Sequence, residues 1–190
     1  MFNVLEPISY FCMINYDKST YLLIDVLRTS IEAFQNAQSS EVPKSELMKQ
    51  IKQCCWAIIF LSEFIKKSQD QRVREDDTLK YFKCDALACS LVFYISLIED
   101  IDSDSNLKTS LMIFFKAFTE AYFIDVKTSV DTTVALCDGM SEILNILINF
   151  SDQIWVWTPR HISDCSYSTI RKTLIKLFRL WNIYVQEASI

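Results

Sequence analysis

Few side chains in this sequence are equipped for chemistry, and each candidate can be tested by its spacing. Asp100, Asp102 and Asp104 alternate as the first ligands of an EF-hand loop do. Such a loop next needs glycine at its sixth position and a bidentate glutamate at its twelfth. Those positions hold Ser105 and Leu111, so the run reads as an acidic helix–helix turn and no metal is assigned to it. His161 is the sole histidine, and any Cys–His or Ser–His nucleophile would have to use it. Cys165 stands nearby in what reads as a loop, at a spacing that carries no catalytic specificity. Paired acids such as Glu99 and Asp100 could do acid–base work, but a solvated turn leaves their pKa values ordinary. No nucleotide, flavin or metal motif is present. The chain is therefore read as non-enzymatic and free of cofactors.

Two surfaces stand out instead as places for another molecule. The stretch 155–161 carries Trp155, Trp157, Arg160 and His161. Tryptophan and arginine are over-represented at binding hot spots, and loops carry much function. The competing reading is that the two tryptophans plug the end of a helical bundle. Farther on, Arg171, Lys172, Lys176 and Arg179 give the last predicted helix a basic face opposite its apolar one. Such a face can meet an acidic partner, an anionic membrane or nucleic acid, or simply be solvated. These eight residues are the partner-binding candidates of the sequence.

Composition limits what can position them. One glycine and three prolines in 190 residues is far below ordinary usage. Tight hairpins and phosphate-cradling loops both lean on glycine, so β-rich and nucleotide-binding folds are disfavoured together. An all-α fold tolerates the shortage best. The apolar fraction of 51% is enough for a sizeable core. A net charge of −5 argues against general affinity for nucleic-acid backbones. Seven cysteines, none paired at zinc-ligand spacing, fit reduced, buried thiols in an intracellular protein, cytoplasmic or nuclear. No signal peptide is seen, and the sequon at 149–151 is read as coincidental.

The helices follow from periodicity. The centre of the chain is the segment 43–68, where Leu47, Ile51, Cys54, Ile58, Leu61 and Ile65 form one stripe at spacings of four and three. Pro43 suits the first helical position. Trp56, Ile59 and Phe60 lie off the stripe, so the middle of this helix is apolar nearly all round and is expected to be covered on several sides. The run is too short for a membrane span of about 20 residues. A helix over 19–38 precedes it, capped by Ser19 or Thr20, with a stripe of Ile24, Leu27, Ile31 and Phe34 that Tyr21, Leu22 and Leu23 widen at the start. The charged run 68–77 reads as a solvated, mobile loop and the best place for a subdomain division. Further helices are expected over 78–98, 106–127, 129–150 and 168–187, the first of these strongly buried and packed on the central helix. Gly139 falls inside the fifth of the six, where it costs about 1 kcal/mol relative to alanine. No internal repeat at a fixed period is found.

The sequence thus predicts an all-α, compact bundle of six to seven helices around a central apolar helix, in one domain spanning 1–190. The function it favours is a non-catalytic protein–protein interaction module, an adaptor or complex subunit. Its partner would be a protein segment or helix received in a groove between helices, with a homodimer as a further possibility. A helical protein enclosing a small apolar ligand is the alternative from another class. A Bcl-2-like regulator of amphipathic peptides is a narrower version of the first, though none of that family's glycine-centred motifs is present.

Overall fold

The computed structural model describes residues 13–39, 43–75, 81–98 and 105–124, with positions 143, 145–147 and 149. All regular structure among these residues is helical. Helix α1 is Tyr16–Ser39, α2 is Lys44–Glu75, α3 is Phe82–Ser96 and α4 is Ser105–Thr119. A π-helical turn, Glu120–Ile124, continues α4. Positions 143, 145–147 and 149 are helical too, and Ile143, Ile146 and Leu147 reach the main core.

The α2 stripe is buried as its spacing requires: Ile51, Cys54, Ile58, Leu61 and Ile65 all lie in the core. Pro43 stands one residue ahead of the helix, and its carbonyl accepts the N–H groups of Glu46 and Leu47 at 2.9 and 3.2 Å. At its other end α2 runs through Glu75, which corrects the loop expected from residue 68 onward. The segment holds no glycine or proline, and Gln, Arg and Glu are good helix formers. Dense charge signals solvent, not loss of helix.

The centre of α2 is covered on several sides as expected, by α1 and α4 above all, though Trp56 stays 39% exposed. A further correction concerns α3. Helix α3 packs chiefly on α1 and touches α2 less. Its Tyr94 and Leu97 are exposed. The second strongly buried helix is α4, where Leu107, Phe114, Phe115 and Phe118 are fully enclosed. Serines that interrupt the apolar runs bond back into their own helices. Ser62 donates to the Ile58 carbonyl at 2.7 Å, Ser90 to Ala86 at 3.1 Å and Ser96 to Phe93 at 2.6 Å.

Candidate functional site: a groove between the first two helices

Helix α1 buries Ile24, Leu27, Ile31 and Phe34. Its neighbouring face carries Leu22 and Val26, which stay 68% and 39% exposed. Across from them α2 presents Trp56 and Phe60. Together these residues border a groove of about 580 Å³, open to solvent and floored by Leu23 and Ala57.

The polar lining is sparse. Asp25, Thr29, Ser30, Gln50 and Gln53 supply it. Thr29 and Ser30 donate their hydroxyls to the carbonyls of Asp25 and Val26, both at 2.9 Å. Asp25 is the one charged side chain among the described lining residues. Its contact with Arg28, at 3.4 Å between two exposed groups, is of the weak surface kind.

Behind the groove lies a buried polar cluster. Asp85 of α3 has no exposed surface. Its Oδ1 accepts the Tyr16 hydroxyl at 2.6 Å and its Oδ2 the Tyr122 hydroxyl at 2.5 Å. Burial pushes the Tyr16 phenol well above its ordinary range, and the Asp85 charge adds to this. Cys84 donates to the Tyr81 carbonyl at 3.1 Å. Burial, then the charges of Asp85 and Asp17, push its thiol up to about 12. Burial likewise raises the Cys54 thiol, helped by Cys55. These are inert, protonated groups and not activated nucleophiles. Cys54, Cys55, Cys84 and Cys89 are all buried.

The partner-binding candidates Trp155, Trp157, Arg160, His161, Arg171, Lys172, Lys176 and Arg179 lie outside the described residues. So do Asp100, Asp102, Asp104, Cys165 and Gly139. Leu111, at the twelfth position of the would-be calcium loop, is buried in α4. Among the described residues no group of three or more His, Cys, Asp or Glu side chains could hold a metal ion. No helix there is long and apolar enough to cross a membrane. Sequence reading missed the groove because Leu22 and Trp56 look like widening of buried stripes. It missed Asp85 because one acid inside a helical pattern carries no mark of burial.

A body whose described residues are helical, with an open apolar groove between α1 and α2, has the character of a helix-pair interaction protein. The family model for the exportin-7-like TPR domain matches residues 1–158. The chain belongs to that family. TPR domains stack helix pairs into extended surfaces used for binding. Comparison with curated proteins gives no significant match, and comparison with solved structures gives none either. The described helices are 24, 32, 15 and 15 residues long. Such unequal units leave no fixed period in the sequence, which is why no repeat is visible there.

Proposed function

We propose that this chain is a non-catalytic intracellular protein–protein interaction module, an adaptor or a subunit of a complex. An amphipathic helix of its partner docks in the α1–α2 groove. The observation that carries the reading is the exposed row of Leu22, Val26 and Trp56 along an open groove, in a chain of a helical-repeat family. A helix presenting apolar residues at i, i+3 or i+4 and i+7 matches such a groove. Among the described lining residues the one charged side chain, Asp25, is acidic, and the chain carries a net charge of −5. The occupant is therefore a helix whose polar flank is basic. The exportin-like family supports a cytoplasmic or nuclear setting, where the buried cysteines stay reduced.

The alternative of an enclosed apolar ligand gains nothing from this groove, which is open to solvent. The Bcl-2-like alternative gains nothing from the family match.

The test places a photo-crosslinking amino acid at Val26 of the full chain, expressed in cells, and maps the crosslinked peptide. A basic amphipathic helix from another protein is expected. Its capture should drop at least tenfold with Leu22→Glu and Trp56→Glu, roughly 1.4 kcal/mol or more. A crosslink to a second copy of this chain would overturn the reading, as would capture that survives both substitutions. Loss of capture only when Trp155, Trp157 and Arg160 are all changed to alanine would move the site to that stretch.

A further inference from the structure

The groove and the buried Asp85 cluster share side chains. Tyr16, Phe64, Tyr81 and Cys84 form a small core of their own, apart from the main one. Leu23 and Phe60 pack against that small core, and both also line the groove. A row of aromatic rings joins the two regions. Tyr16 meets Phe64 at 6.3 Å, Phe64 meets Phe60 at 6.5 Å and Phe60 meets Trp56 at 6.2 Å between centroids. The three α2 members recur every four residues, so they stand on one side of the helix. At its far end the row is tied down by the Tyr16 hydroxyl on Asp85. Tyr81 holds the same ring from another side, at 4.2 Å.

Asp85 is in turn fixed from α4. The π-helical turn carries Tyr122, whose hydroxyl takes the other carboxylate oxygen. Turns of this type are frequent at functional sites. A carboxylate without exposed surface is costly unless both oxygens are satisfied, so it tolerates few alternative positions of its two tyrosines.

We infer that Tyr16, Asp85 and Tyr122 are positioning residues for the groove: they hold the aromatic row that sets the Trp56–Phe60 wall. This rests on the groove being the working surface of the protein. Its test, however, reads the groove with no partner present, so the two can fail separately.

The experiment labels the full chain with 5-fluorotryptophan and follows the fluorine resonance of Trp56, assigned by its loss in Trp56→Phe. Tyr16→Phe removes a single oxygen and keeps the ring. It should shift or broaden the Trp56 resonance, and Tyr122→Phe should do the same. Amide exchange in the first turn of α1 should speed up roughly tenfold or more in Tyr16→Phe. Ile95→Val, a core truncation in α3 away from the aromatic row, is the control for general loss of stability. An unmoved Trp56 resonance in both tyrosine variants would overturn the inference. So would an equal change in Ile95→Val, which would reduce the cluster to ordinary packing. Asp85→Asn is the stronger lesion, and the outcome does not depend on whether it folds.

Discussion

Tyr16 and Cys84 are held protonated by burial beside Asp85, and this has a defined consequence for stability. A group whose folded pKa is raised contributes stability that is whole below its unfolded pKa and lost as pH climbs toward the folded one. For Cys84 that window opens near 9 and extends to about 12. Tyr16 and Cys54 shift in the same direction. The urea midpoint should therefore hold steady through neutral pH and fall steeply above about 9, less steeply in Cys84→Ala. A midpoint that stayed level to about pH 11 would contradict the burial of these groups. Among the described residues, the hydroxyls of Thr20 and Thr119 are buried without a hydrogen-bond partner. Thr20 lies inside α1, four residues past its start, and does not cap it. Leaving a buried hydroxyl unsatisfied costs about 1–3 kcal/mol. Thr119→Val should consequently raise the melting temperature, and a drop of several degrees would mean the hydroxyl is engaged after all.

At the scale of elements, α2 is the decisive one. Its 32 residues span roughly 48 Å, long enough to pack on both α1 and α4. The stripe from Ile51 to Ile65 is buried for the same reason that it was recognisable, because apolar side chains at helical spacing leave water together. The stretch 69–75 separates helix from loop cleanly. Gln71→Pro should cost about 3 kcal/mol and lower the helical circular dichroism, because proline removes a backbone donor and clashes with the preceding turn. In a loop the same change would cost little. Ordinary stability in that variant would return the segment to the loop its charge first implied.

For the molecule as a whole, membership of the exportin-7-like TPR family places the chain among helical-repeat proteins. In such arrays each unit touches mainly its neighbours, and the exposed faces do the binding. The packing here has that character locally. Helix α2 joins α1 to α4, and α3 closes over α1. The groove lies between α1 and α2. Since Leu22 is 68% exposed and Trp56 39%, Leu22→Glu should leave the urea midpoint nearly unchanged and Trp56→Glu should lower it only modestly, while both abolish partner capture. Loss of both together would mean the strip is part of the core. A single domain over 1–190 remains our proposal.

The sequence by itself determined the all-helical character, through the near-absence of glycine and the stripes of α1, α2 and α4. These are local properties: side chains three and four residues apart share a face whatever the rest of the chain does. The lack of calcium and nucleotide motifs was equally local and equally readable. What only the tertiary structure decided depends on residues far apart in the chain. Tyr16 reaches Asp85 across 69 positions and Tyr122 reaches it across 37. Nothing at position 85 alone says that an acid there is wholly enclosed. The groove is of the same kind. Leu22 and Trp56 each read as buried, and each is exposed, because α1 and α2 meet along their other faces. Periodicity tells which residues seek cover; only the packing of one helix against another tells which of them obtain it.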